Sequence, residues 1–370
     1  MSEWRDLAVS DAINKAAENG TRPGWKAKLV HVSGFSDYLN PAVQDIVGSC
    51  DIITVQRNLI TDQVFDAIRY WQGMGKPCVA DLDDAYPILP RSNPAHQFWI
   101  ENSSKMEPKP LQYLEKGIAL CNALTSPNRL ILRDWAHVAR GYHLPNFARE
   151  EWWTNLPTRE EQKEKLGIKD RIVIGWGGSV SHYDSWWGSG LREAATMVCR
   201  KHPEVLWMIC GNDPRIADQL PVPISQRFQQ PGVASSDWPK VVRTFDIGVA
   251  PLFGIYDQRR SWIKTLEYGL AGIPWVATDG EPYADHKQLG ALVPGDPDVW
   301  YMALEQLISH LATEQETAAK RVDLYRQWLI TNQLGTYEKV FNQIIENFQA
   351  DVGQLPNIHF VNWNVLRKVA

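Results

Sequence analysis

Apolar residues fall into two patterns that alternate along most of the chain. The β-rich runs Lys28–Val32, Ile52–Gln56, Pro77–Leu82 and Asn122–Ser126 read as buried strands. Between them, Asp62–Trp71 sets Val64, Phe65, Ile68 and Trp71 at helical spacing, and Leu111–Cys121 and Arg129–Ala139 read as further helices. Strand, helix, strand with short connections predicts a parallel α/β sheet. The periodicity breaks over Tyr142–Leu156, where Pro145, Trp152, Trp153 and then Pro157 interrupt it. Thr158 and Glu161 form a capping box that opens a short, charged helix. A second series follows, with strands over Arg171–Trp176, Val205–Cys210, Phe245–Ala250, Ile273–Ala277 and Ala291–Val293. Helical patterns fill Asp298–Leu311, Glu314–Ile330 and Thr336–Phe348. The expected fold class is α/β: two Rossmann-like, doubly wound domains, residues 1–150 and 151–330, facing across a cleft. Ligands in such folds sit at the carboxyl ends of the strands.

Composition narrows the class. The 370 residues carry 43 acidic and 38 basic side chains, a net charge of −5, with 44% hydrophobic and 22% charged residues. This is ordinary globular composition and argues against disorder or a whole-surface nucleic-acid binder. Met1 to Ser10 shows no signal pattern and no apolar run reaches membrane-spanning length, so a cytoplasmic protein is expected. The five cysteines (Cys50, Cys78, Cys121, Cys199 and Cys210) lie far apart, which reads as buried thiols with neither a disulfide frame nor a zinc site. The 17 tryptophans stand out, because indole is large and carries one polar group that wants a partner. Trp176, Trp186, Trp187 and Trp262 fall in the loops discussed next, with flat faces suited to stacking on a base or sugar ring, and Trp153 sits at the linker.

Three segments carry candidate chemistry. In Ile172–Ser179 a strand runs into Gly177-Gly178-Ser179, where glycine lets backbone N–H groups approach an anion closely. His182 and Asp184 follow in the same loop. Phe245–Leu252 is a second strand ending in a loop, with Asp257, Arg259, Arg260, Ser261 and Lys264 before a helix that contains Glu267. Cations beside a helix start suit a diphosphate, with arginine forking onto oxygens and lysine acting as a point charge. The third segment, Val79–Asp84, crowds Asp81, Asp83 and Asp84 at a strand's carboxyl end. Carboxylates that close need a cationic partner: a metal, Arg57, Arg91, or a substrate's hydroxyls. Each segment also has a plain reading, as a tight turn, a solvated basic loop and an acidic loop.

Together the second and first of these segments resemble the donor-binding half of family 4-like glycosyltransferases with the two-domain GT-B fold. The most telling stretch is Ser261–Pro274, where Lys264 precedes Glu267 on a helix that Gly272-Ile273-Pro274 ends. Asp51–Arg57 and Gly75–Asp84 resemble segments of one bacterial and phage branch, and His143–Phe147 resembles the linker entering the donor domain. The resemblance implies a hexosyltransferase that moves a sugar from a nucleotide-diphosphate sugar, a UDP-sugar by preference, to an acceptor hydroxyl. It implies retention of configuration, no metal and no further cofactor, and a last segment, 331–370, that crosses back to the first domain.

Carried over by position, Glu267 would hold the ribose hydroxyls, and Gly177, Gly178 and Ser179 would face the diphosphate with His182, Arg260, Ser261 and Lys264. Arg260 and Lys264 would supply the charge that stabilises the leaving group. On the acceptor side, Asp81, Asp83 and Asp84 would orient or deprotonate the hydroxyl, with Arg57 and Arg91 beside them. Two positions depart from the family: Arg259 stands where a glutamate is expected, and Ser179 near the place of an arginine. These departures motivate the alternatives, a non-catalytic nucleotide- or glycan-binding protein or a sugar-nucleotide epimerase. A glycan, a small molecule or a modified DNA base could be the acceptor, the last only if Arg57, Arg91, Arg129 and Arg133 converge into a basic cleft.

Overall fold

The computed structural model describes residues 3–354 and contains two parallel sheets. The first has four strands in chain order: β1 (Ile53–Gln56), β2 (Cys78–Asp81), β3 (Ala123–Ser126) and β4 (Gly141–His143). The second has six: β5 (Ile172–Gly177), β6 (Val205–Cys210), β7 (Arg227–Gln230), β8 (Ile247–Ala250), β9 (Trp275–Thr278) and β10 (Ala291–Val293). Their order is β10-β9-β8-β5-β6-β7. β2, β3, β6, β8 and β9 are buried at every position, as parallel strands covered on both faces must be, and their sequences are accordingly near-continuous in apolar residues.

The second sheet fixes where a ligand can sit. From β5 the chain winds outward through β6 and β7, then returns to β8 on the other side of β5 and winds away through β9 and β10. Strand order therefore reverses between β5 and β8, the switch point beside which such sheets bind ligands. The loops leaving these two strands carry Gly177–His182 and Arg259–Lys264. In the first sheet the strands follow one another without reversal, so that sheet has no such switch point of its own.

Among the described residues three large apolar clusters and a small fourth hold the molecule together. One lies within the first domain around Val55, Ile68, Trp71 and Leu114. Another covers one face of the second sheet around Trp186, Trp207 and Trp300. A third runs from the amino-terminal helix Ala8–Glu18 through Leu144 and Phe147 of the linker to Leu266, Tyr325 and Tyr337. The final helix, Leu334–Gln354, lies against the first sheet, where Ile344 packs on Val79 and Ala123. The linker between the sheets is bonded from both ends of the chain: Tyr337 Oη donates to Pro145 O at 2.9 Å, Gln333 Nε2 donates to Pro145 O at 2.7 Å, and Phe147 N donates to Trp4 O at 3.0 Å.

Two features differ from the sequence reading. Lys28–Val32 is not a strand: the chain is irregular up to His31, whose ring caps a short helix, Val32–Ser36, by accepting from Ser33 N. Ser33, Gly34 and Ser36 end the apolar run before a ladder can form. Strands β4 and β7 were not legible, because Gly-Tyr-His and Arg-Phe-Gln-Gln are partly exposed, polar edge segments without alternation. The capping box at Thr158 and Glu161 is formed as read. Cys78, Cys121, Cys199 and Cys210 are buried free thiols and Cys50 is a partly exposed one. Among the described residues no helix is long and apolar enough to cross a membrane.

Candidate active site

The strand–loop junction after β5 is shaped by what packs on its glycines. A Cβ on Gly177 would lie 2.1 Å from the Trp238 ring, and one on Gly178 would lie 2.8 Å from Trp176 and 3.1 Å from Lys264 Nζ. The turn is therefore glycine because two indoles and a lysine close on its backbone. Ser179 caps the short 3-10 turn Val180–His182, its hydroxyl accepting from Ser181 N and meeting Ser181 Oγ at 2.7 Å.

The β8 loop supplies the cations. Asp257, buried at 3% exposure, accepts from Ser185 Oγ at 2.5 Å, Phe253 N at 2.8 Å and Arg260 Nε at 2.6 Å. Its carboxylate thereby aims the Arg260 guanidinium at the β5 loop, where Nη2 donates to Ser181 O at 2.6 Å and Nη1 reaches His182 Nε2 at 3.2 Å. Arginine only donates, so His182 accepts through Nε2 and its proton sits on Nδ1, which is buried without a hydrogen-bond partner. Burial, followed by the charges of Arg260 and Lys264, pushes His182 well below the usual imidazole range. It is a neutral side chain at pH 7.

Lys264 and Glu267 are three residues apart on the helix Ile263–Leu270 and so share a face. Lys264 Nζ donates to Gly177 O at 2.5 Å and lies 5.0 Å above the Trp176 ring. Burial lowers its pKa to about 8 against the attraction of Glu267. Burial raises Glu267 to about 7, opposed by the Trp238 indole, which donates to its carboxylate. Trp238 thus joins the Gly177 turn to Glu267. It is the tryptophan that matters most here, and nothing in its surroundings along the chain singles it out.

The acidic triplet is split three ways. Asp81 ends β2 at 3% exposure, and its carboxylate takes Arg5 as a two-pronged ion pair, Nε to Oδ2 at 3.0 Å, plus Thr125 Oγ1 at 2.6 Å. Three hydrogen bonds thus hold the buried Asp81 carboxylate on Arg5 and Thr125, which sets it apart from Asp83 and Asp84. Asp83 accepts from Tyr86 Oη at 3.1 Å and Gln56 Nε2 at 3.3 Å. Arg57, at the left-handed φ of 41° just beyond β1, bonds Tyr86 and attracts Asp83. Burial and then the neighbouring Asp81 raise the Asp83 pKa, with Arg57 opposing. Asp84 reaches the other domain, accepting from Tyr256 Oη at 3.0 Å, and burial raises its pKa too.

The remaining candidates scatter. Ser261 Oγ accepts from Asn146 Nδ2 at 2.8 Å. Arg91 is exposed, with no described hydrogen bond or ion pair, and does not join the cluster. Arg129 is paired with Asp285 at 2.7 Å and Glu281 at 3.6 Å, and Arg57 bonds Tyr86, so two of the four cations named for a nucleic-acid acceptor already have protein partners. Trp176, Trp186 and Trp262 are at most 3% exposed and cannot offer a face to a base. Trp176 and Trp186 meet edge to face, Trp262 stacks on His286 at 3.7 Å, and Trp153 is core. Of the loop indoles only Trp187 keeps a partly exposed ring, beneath Arg192. The sequence reading did not assign roles to Arg5, Asn93, Asn128, Asn146, Trp238 and Tyr256, because their partners lie far away in the chain. Asp257 alone had a local signal, three residues before Arg260.

Two Rossmann-like domains, with cations and a glycine turn at the switch point of one, are the arrangement of the GT-B fold. Comparison with known proteins agrees: residues 172–310 match the family model described as Glycosyl transferases group 1. Among solved structures, HepE from Anabaena in complex with UDP is 15% identical, with 82% of this chain and 83% of that chain covered and a TM-score of 0.55. A UDP-forming α,α-trehalose-phosphate synthase from Burkholderia xenovorans is 12% identical over 92% and 86% of the two chains, with a TM-score of 0.54. Sucrose-phosphate synthase from Thermosynechococcus elongatus is 15% identical over 84% and 78%, with a TM-score of 0.52. No curated protein matches by sequence.

Proposed function

We propose that this glycosyltransferase takes a UDP-sugar into the crevice between β5 and β8 and transfers the sugar to an acceptor hydroxyl held beside Asp83. The observation that carries the reading is the convergence of Arg260 and Lys264 on the β5 turn, with bonds to Ser181 O, His182 and Gly177 O. Both cations stand at the switch-point crevice, where a diphosphate replaces carbonyl oxygens as their partner. HepE has been crystallised with UDP and with UDP-glucose, which favours uridine as the base.

In this reading Glu267 takes the ribose hydroxyls, and the backbone of Gly177, Gly178 and Ser179 faces the diphosphate. The bond from the anomeric carbon to the phosphate oxygen breaks with oxocarbenium character, and the charge that builds on the departing UDP meets Lys264 and Arg260. The acceptor oxygen bonds the anomeric carbon from the face that UDP leaves, which retains configuration, and its proton passes to the departing phosphate or to Asp83. The raised pKa of Asp83 suits it to accept that proton. Cationic side chains do the work at the diphosphate, so the transfer is proposed to be metal-independent.

The test is nucleotide release. Wild-type protein with UDP-glucose and other UDP-sugars, in the presence of a panel of hydroxyl acceptors, is expected to liberate UDP in step with acceptor glycosylation. Binding without release, or conversion of the donor to an isomer with no acceptor present, would replace this reading with one of the two alternatives above.

A further inference from the structure

The loop after β8 belongs to the second domain by chain and to the first by contact. Tyr256 is 6% exposed and packs within the apolar cluster of the first domain, beside Tyr86 and Ala85. Its hydroxyl donates to Asp84 Oδ2 at 3.0 Å and accepts from Asn93 Nδ2 at 3.0 Å. Its ring carries the Arg260 guanidinium 4.8 Å above the centroid. Three residues on, Arg259 crosses to Asp134 as a two-pronged ion pair, with Nη2 to Oδ1 at 2.9 Å. Between these points Asn128 Nδ2 donates to the main-chain oxygens of Gln258 at 2.9 Å and Arg260 at 2.8 Å.

Arg259 is the position at which the family resemblance has a glutamate directed at the donor sugar. Here that position holds a cation and points the other way. Asp257 cannot substitute for the missing carboxylate, because Ser185, Phe253 N and Arg260 already occupy it. A loop held by protein rather than by ligand changes what binding costs: ordering is complete before the donor arrives.

We propose that Arg259, with Tyr256, is a positioning residue through which the first domain holds the β8 loop, so that Arg260 and Lys264 are aligned before donor binds. The role rests on the donor-site reading above. Arg259 and Arg260 are adjacent cations, and the Asp134 pair draws one outward while Asp257 keeps the other inward. Without Asp134 the loop loses its outer tether, and the inner arginine no longer has a fixed base.

Two readouts test it in the full chain. The first is hydrogen exchange of the amides between residues 253 and 262 in ligand-free protein; the second is UDP affinity by calorimetry. Arg259→Ala and Asp134→Ala are each expected to speed that exchange and weaken UDP by about fivefold, as a partly buried two-pronged pair would. The charge swap Asp134→Arg with Arg259→Asp is expected to recover both. Tyr256→Phe, which keeps the ring under Arg260, is expected to weaken UDP by about tenfold, since it strips a hydroxyl from half-buried Asp84 and buried Asn93. Unchanged exchange and UDP affinity in the single variants and in Tyr256→Phe, with wild type binding UDP, would overturn the positioning role alone. Wild type that binds neither UDP nor UDP-glucose would overturn the donor-site reading beneath it, whatever the exchange shows.

Discussion

Two clusters of like charge face each other in this protein, and the fold treats them alike. Asp81, Asp83 and Asp84 close β2 in the first domain, and Arg259, Arg260 and Lys264 follow β8 in the second. Each trio would be costly if its members stayed together. Instead each member is drawn to a different place. Among the acids, Asp81 is tied to Arg5, Asp83 takes Tyr86 and Gln56, and Asp84 crosses to Tyr256. Among the cations, Arg259 crosses to Asp134, Arg260 is braced by Asp257, and Lys264 faces the glycine turn. In both trios one member crosses to the other domain while the others are bonded within their own. A charge run along a chain is therefore a poor unit of function, because its members can serve separate purposes.

The sharpest way to break this division is within the acids. Asp81→Ala leaves Arg5 buried and unpaired, and is expected to lower unfolding free energy by about 3–5 kcal/mol in a denaturant titration. Asp83→Asn is expected to stay within about 1 kcal/mol of wild type while transfer turnover falls about 100-fold. Equal effects on stability, or full activity in Asp83→Asn, would erase the distinction. Among the cations, Lys264→Met is expected to weaken UDP-glucose binding by about 10- to 100-fold, the worth of a buried charge-assisted bond. A variant that binds as wild type would remove lysine from the diphosphate.

Two smaller effects sharpen the donor side. Glu267→Ala is expected to cut UDP affinity about tenfold, and an unchanged thermal shift would end its assignment to the ribose. The pH dependence follows from Lys264. Burial holds its pKa near about 8, and an anionic donor stabilises the protonated form. Affinity should therefore be full below that value and fall by up to about tenfold per pH unit above it. In Lys264→Arg, where the cation does not titrate, the fall should vanish.

The second domain was far more legible in the sequence than the first. Apart from β7 its strands are apolar runs, and Gly177-Gly178, Lys264 and Glu267 each sit at a strand end or on a single helix face, where local spacing fixes their direction. The first domain's candidates depended on partners elsewhere. Nothing near Asp81 foretells Arg5, 76 residues away, which pairs with its carboxylate. The tryptophans misled for a related reason. Loop position suggested exposed faces at Trp176, Trp186 and Trp262, yet an indole in a loop packed between layers is buried by its neighbours.

What the sequence determined by itself was the alternation of strands and helices, the two-domain division into parallel sheets, and the loops that leave β5 and β8. These follow from periodicity and from glycine and charge at short range. Tertiary structure decided which partner each of these charges takes. It also decided that Arg259 binds the neighbouring domain, and that Trp238 rather than the loop indoles supports Glu267. The reason is physical: an ion pair or a hydrogen bond depends on distance in space, and the chain brings residues 125 positions apart, such as Asp134 and Arg259, within bonding reach.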